Sequence, residues 1–242
     1  MEIQLKNNNH SNDDRINIYP IQDRIEKILH KGTIFTTKIQ RSDQFLWDHL
    51  NSKLKLVVLY ADMVDSTMMI RDLSPDKLAI LMQTFSQEMS LAVLRFNGHV
   101  LKYVGDAIIA YFPVESNFEE VCNKVITCSQ YMIAALEKGI NPTLTKHGYL
   151  PQQVRIGIDT GEHSVIDYVL GEKLQVDILG YGISMAAKLS KLAEPNQTVI
   201  THQMFFGMNP SFRKKFTQVD LDPRMWKYVH ENFHPAVWRS SF

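Results

Sequence analysis

Leu56-Val57-Val58-Leu59-Tyr60-Ala61-Asp62 and Lys102-Tyr103-Val104-Gly105-Asp106-Ala107-Ile108-Ile109-Ala110-Tyr111-Phe112 are the stretches whose reading decides the fold. The first runs apolar into a carboxylate, as a buried strand does when it ends at a polar site. The second reads as two short strands joined by a Gly-Asp turn, a hairpin. Packed strands can bring the two carboxylates side by side. That arrangement suits a hard divalent cation, because Mg²⁺ takes oxygen ligands and shares them with substrate phosphates. An Asp at a strand end or in a Gly-Asp turn is also ordinary turn chemistry, so neither residue alone makes a site. Met63-Val64-Asp65-Ser66-Thr67 follows the first strand with small and polar residues suited to open a helix. Free N–H groups at such a helix start favour phosphate, and the combination points to triphosphate chemistry.

Outward from these strands the order is legible. Ser74-Pro75 reads as an N-cap and first helical position, and Leu78, Leu81, Phe85, Met89, Ala92 and Phe96 form a stripe that stops at Asn97-Gly98. A second helix is expected over about 117–138, with Phe118, Val121, Val125, Cys128, Met132 and Leu136 on one face. A strand over 153–159 comes next, then a loop and short hairpin around Gly161 to Gln175, a helix over about 183–193 and a strand at Val199-Ile200. The sum, β-α-β-β-α-β, is the ferredoxin-like arrangement, an α+β fold whose sheet carries helices on one face.

Toward the N-terminus, Ile21, Ile25, Ile28 and Leu29 recur at helical spacing. Two readings stand for this helix, packing on its own domain and contact with a second copy. Residues 7–14 are polar enough for a mobile lead-in. The tail from Asn209 to Phe242, with Trp226 and Trp238, is expected to complete the sheet or cap the domain.

Bulk composition excludes several classes. A chain of 242 residues at 45% hydrophobic content can bury a sizeable core. Lys plus Arg number 26 and Asp plus Glu number 26, so no global field draws the protein to nucleic acid or to an anionic membrane. Cys122 and Cys128 match neither a zinc spacing nor a disulfide framework, and reduced thiols in a cytoplasmic protein are expected. The N-terminus lacks the apolar core of a signal peptide, and no run approaches the roughly 18 apolar residues of a membrane span.

Four motifs occur in order: Tyr60-Ala61-Asp62 with Ser66-Thr67, Lys102-x-x-Gly105-Asp106, Arg155-Ile156-Gly157-Ile158-Asp159-Thr160-Gly161, and Asp177-Ile178-Leu179-Gly180. Together they resemble the catalytic domain of the class III nucleotidyl cyclases, over about Lys53 to Thr201. The resemblance implies a catalytic domain at 46–242 preceded by an extension at 1–45 that holds the N-terminal helix. The reaction it implies is attack of the ribose 3′-hydroxyl on the α-phosphate, with pyrophosphate leaving. It also implies two divalent cations, Mg²⁺ or Mn²⁺, held by Asp62, Asp106 and the backbone carbonyl of Met63.

In the same family an arginine at Arg155 contacts the triphosphate, which suits its planar fork of donors. Seven residues on from Asp177 stands Ser184, where the family usually has an Asn that positions the ribose. Eleven on stands Lys188, where it usually has an Arg at the transferring phosphorus. Both are substituted here, yet Ser still hydrogen-bonds and Lys still supplies charge. The family's outer-phosphate lysine has no recognisable motif, and Lys227 and Arg224 both remain open for it. Because metal ligands and transition-state groups come from different subunits in this family, the resemblance implies a head-to-tail homodimer.

Base choice reads in two directions. By resemblance the base is addressed by Lys102, by Asp177 and by the wall at Tyr60. Lys102 with Asp177 is the pair associated with adenine. Tyr60 instead adds a hydroxyl where purine cyclases commonly carry Phe, which favours a smaller base. The Leu179 to Lys188 block, with its Ser184 and Lys188, resembles the bacterial pyrimidine cyclases of Pycsar antiphage systems. The expectation is a pyrimidine cyclase preferring UTP over CTP, a second-messenger synthase with a separate cyclic-nucleotide effector. An adenylate cyclase and a catalytically inactive dimerisation module are the alternatives. A GGDEF-type cyclase is disfavoured because Gly105-Asp106-Ala107 stands where its signature would be.

Overall fold

The computed structural model describes residues 16–31, 41–170, 173–222 and 236–242. Two helices, α1 (Tyr19–Lys31) and α2 (Arg41–Asp48), precede strand β1 (Lys53–Met63). After β1 come α3 (Ser66–Asp72), α4 (Pro75–Arg95), the hairpin β2 (His99–Val104) and β3 (Ala107–Pro113), and α5 (Phe118–Ala135). A π-turn over Leu136–Ile140 joins α5 to α6 (Asn141–Lys146). The second half is β4 (Val154–Leu170), β5 (Lys173–Leu179), α7 (Tyr181–Leu192), β6 (Gln197–Thr201), α8 (His202–Gly207), α9 (Pro210–Arg213), β7 (Phe216–Val219) and β8 (Val237–Ser240).

Local chemistry sets these bounds. Ser74 caps α4 by accepting from the Lys77 N–H, and Pro75 takes the first helical position. Asn97 ends the helix with φ 58°, and at Gly98 a Cβ would stand 2.4 Å from the Phe112 ring. Asn117 caps α5 through the Glu120 N–H. Gly105 turns the β2–β3 hairpin at φ 62°, a conformation that costs glycine little.

The sheet order is β2-β3-β1-β4-β6-β8-β7, with β5 paired to β4. β1 lies antiparallel between β3 and β4, so the first four strands reproduce the expected ferredoxin-like order. The described parts of the tail complete the sheet, as β8 pairs with β6 and β7 with β8.

Along β1, alternate residues face opposite layers. Val57, Leu59, Ala61 and Met63 join the large core with Phe85 and Met89 of α4 and Val125 and Met132 of α5. Leu56 and Val58 join a smaller core with Ile109, Tyr111, Leu46 of α2 and Ala186 of α7. Helices therefore cover both faces of the sheet, where the βαββαβ pattern alone anticipates one. Gly157 of β4 explains how α7 comes so close. A Cβ there would lie 2.0 Å from the Ala186 carbonyl oxygen and 2.5 Å from the Ser190 nitrogen, so only glycine admits this helix.

Two further features differ from the sequence expectation or resolve it. β4 runs unbroken through Gly161, which pairs with Leu56 inside the ladder. The strand changes partner at Ser164, pairing with β1 on one side of that residue and with β5 beyond it, so the expected loop is continuous strand. The N-terminal helix packs on its own domain. Ile21, Ile25 and Ile28 are buried, each contributing about 1.5–3 kcal/mol, and Arg24 makes a two-pronged ion pair with buried Glu88 at 2.8 and 2.5 Å. The polar lead-in at 7–14 lies outside the described residues. Among the described residues, no helix is long and apolar enough to cross a membrane.

Candidate active site

Register places the key side chains before any contact is considered. Tyr60 stands opposite Ile109, and Ile109 opposite Lys102, so these three share one row and one face. Two residues along β1, Asp62 stands between Ala107 of β3 and Arg155 of β4. Asp106 sits in the hairpin turn immediately before Ala107. The strand end, the turn and the start of β4 thus meet at one edge of the sheet, as the sequence reading requires of Asp62, Asp106 and Arg155.

Asp62 is only 5% exposed, and it accepts an ion pair from Lys191 in the last turn of α7. Arg155 is half-buried, and its Nε has no hydrogen-bond partner among the described residues. A buried donor with no partner in the chain takes one from outside it, an ordered water or an anion. Tyr60 lies within the field of the same groups. Its phenol is pushed up chiefly by burial, then by the charge of Asp62 and, more weakly, of Asp106, with Lys191 opposing.

Beyond Asp62, Met63 is buried and α3 begins at Ser66. Asp65 precedes that helix at φ 54° and makes no side-chain cap, leaving first-turn N–H groups uncapped beside the carboxylate. Ser66 is buried and Thr67 exposed.

Lys102 and Asp177 form an ion pair across the gap between β2 and β5. The second Asp177 oxygen accepts from the Ile178 N–H at 2.9 Å. The pair borders a cleft of about 290 Å³, near the lower end for small-molecule sites, that also takes in Trp47 of α2 and Tyr168 and Leu174 of the β4–β5 hairpin. Ser184 is exposed and Lys188 half-buried. With Lys191 they fall at i, i+4 and i+7 on α7, one stripe of that helix.

Sequence reasoning did not anticipate Lys191 or Trp47. The signal for Lys191 was its place on the Ser184–Lys188 stripe. Trp47 gave none, since α2 is short and shows no pattern toward the cleft. Lys227 and Arg224, the open candidates for the outer-phosphate cation, lie outside the described residues.

Under the start of α7 lies a buried polar pair. A Cβ at Gly182 would be 2.8 Å from His163 Nε2, so glycine leaves room for that ring, while Asp159 Oδ2 lies at an ordinary 3.7 Å. Burial pushes the Asp159 carboxyl up to about 6, opposed by hydrogen bonds from the Thr201 hydroxyl and the Thr160 N–H. The same burial holds His163 below its ordinary value.

Comparison with known proteins agrees with this geometry. The family model of the adenylate and guanylate cyclase catalytic domain matches residues 50–224. The chain belongs to that family. Among curated cyclases, a uridylate cyclase of Rhodovulum sp. (strain MB263) is 24% identical over 194 residues, covering 76% of this chain and 78% of that protein. A cytidylate cyclase of Escherichia coli is 24% identical over 153 residues, covering 60% of this chain and 33% of that protein, so the match spans about a third of its length. Among solved structures, the adenylyl cyclase CyaB from P. aeruginosa superposes with a TM-score of 0.66 at 19% identity, covering 79% of this chain and 95% of that one. The class III fold is therefore shared with relatives of differing base preference, and this family member is similar to pyrimidine cyclases in sequence.

Divalent metal ions are general in the family, and the residues here fit them. Among the described residues no cluster of three or more His, Cys, Asp or Glu could hold a metal. Two carboxylates and a carbonyl suit an ion that takes its remaining oxygens from substrate. The ammonium already drawn to Asp62 marks the position as cation-seeking.

Proposed function

We propose that this chain is a pyrimidine nucleotide cyclase that converts UTP, in preference to CTP, to the 3′,5′-cyclic monophosphate and pyrophosphate. The observation that supports the reading is the row from Lys102 through Ile109 to Tyr60, which sets Tyr60 on the same sheet face as Lys102 and within the field of Asp62. A hydroxyl there penalises any base that leaves it unpaired. Likeness to the uridylate and cytidylate cyclases supports a pyrimidine over a purine.

In this reading Asp62, Asp106 and the Met63 carbonyl hold two divalent ions, Mg²⁺ or Mn²⁺. When bound, these supply charge that activates the ribose hydroxyl and neutralises the leaving pyrophosphate. Arg155 turns its unpaired donor to the triphosphate, and the start of α3 at Ser66-Thr67 offers further N–H groups. Lys102 opens from Asp177 so that both address the base. Ser184 orients the ribose, and Lys188 meets the charge that develops at the transferring phosphorus. These last two come from the second copy in a head-to-tail homodimer, which makes two equivalent sites.

The catalytic domain covers 46–242, and 1–45 forms an extension whose helix α1 docks on it. The product serves as a second messenger for a separate effector, as in antiphage defence. A second reading, adenylate cyclase, is favoured by the Lys102–Asp177 pair itself. Incubating the protein with each of the four nucleoside triphosphates and Mn²⁺, and measuring pyrophosphate release, separates them. Turnover of UTP well above ATP supports the pyrimidine reading, and the reverse order refutes it.

A further inference from the structure

The cation on Asp62 belongs to the chain itself. Lys191 extends from the last turn of α7 with its side chain 65% exposed, while the carboxylate it reaches is 8% exposed. An ordinary surface pair holds a lysine loosely, but the backbone of this one is fixed. Its neighbour Ser190 is seated over Gly157, where the Ser190 nitrogen lies 2.5 Å from the place a Cβ would occupy. The seat of α7 on β4 therefore sets the ammonium against Asp62 near the end of β1.

We propose that Lys191 is a tethered competitor of the divalent ion for Asp62. Two carboxylates and one carbonyl make a weak cage for a bare hydrated ion, and an ammonium on one carboxylate weakens it further. An ion that arrives with triphosphate oxygens brings additional ligands and can displace the lysine. The freed ammonium then stands beside those phosphates, for which a compact point charge is suited. The site consequently holds metal alone only weakly and loads it more readily together with nucleotide. This inference rests on the assignment of Asp62 as a metal ligand.

The test is Mn²⁺ binding to the full chain without nucleotide, read as loss of the free-ion signal in electron paramagnetic resonance. Wild type, Lys191→Gln, Lys191→Arg and Asp62→Ala are compared. Lys191→Gln is expected to bind Mn²⁺ about ten-fold more tightly than wild type, Lys191→Arg to remain near wild type, and Asp62→Ala to lose the site. If Lys191→Gln binds no more tightly while Asp62→Ala loses binding, the competitor role is overturned and the metal ligand stands. If Asp62→Ala binds as wild type does, both fall.

Discussion

The two faces of β1 make opposite use of one strand. Val57, Leu59, Ala61 and Met63 face α4 and α5 in an apolar layer. Leu56, Val58, Tyr60 and Asp62 begin apolar under α2 and α7 and end in a phenol and a carboxylate. Alternation by one residue separates the part that drives folding from the part that faces chemistry. Substitutions on one face should therefore register as lost stability, and on the other as lost or altered activity.

The sharpest break of that comparison is Asp62→Ala. Cyclase activity is expected to fall at least about a thousand-fold, while thermal unfolding moves little. A large drop in melting temperature would show that Asp62 is structural. On the opposite face, Leu59→Ala should destabilise by about 2–5 kcal/mol in chemical denaturation and leave turnover per folded molecule near wild type.

Gly157→Ala bridges the two faces. The new methyl meets the Ala186 carbonyl, so α7 must lift and carry Ser184, Lys188 and Lys191 with it. Stability and activity should fall together, the latter by about a hundred-fold or more. Loss of one without the other would show that the seat of α7 does not set the site.

Asp159 gives a pH test of the layer under α7. Its folded carboxyl titrates at about 6 against an ordinary 3.8, so the folded state holds a proton that the unfolded chain has already released between those values. Wild-type stability should fall as pH rises through that window and carry the burial penalty above it. Asp159→Asn keeps an acceptor for Thr201 and should remove this fall, gaining roughly 1–3 kcal/mol at pH 8 and little at pH 4. Urea denaturation at the two pH values reads the difference.

Tyr60→Phe is the smallest change and bears most directly on specificity. The ratio of kcat/KM for UTP over ATP should drop about ten- to a hundred-fold with little change in stability. An unchanged ratio would remove the hydroxyl from base selection.

Much of this architecture was legible in sequence because local and global signals agree. Ser74-Pro75 and Asn97-Gly98 bracket α4, Gly105 turns the β2–β3 hairpin, and β1 carries its carboxylate one residue before its end, having begun three residues earlier than the apolar run. Gly161 misled because a glycine inside a paired ladder looks like a turn until its partner Leu56 is known. The seat of α7 on the second face was hidden for a related reason, since Gly157 matters through a helix that lies about thirty residues away in the chain. Lys191 and Asp62 are 129 positions apart, and no local pattern joins them. Asp62, Asp106, Arg155, Lys102 and Asp177 could be singled out from sequence because each lies in a short contiguous motif. Trp47 was missed because its contribution exists only once α2 meets the β4–β5 hairpin.

The most direct measurement is mass spectrometry of the products formed from an equimolar mixture of ATP, GTP, CTP and UTP with Mn²⁺, with Asp62→Ala run in parallel. Cyclic UMP as the main product, absent with Asp62→Ala, is the predicted result. Cyclic AMP as the main product would contradict the pyrimidine assignment and return base selection to Lys102 and Asp177.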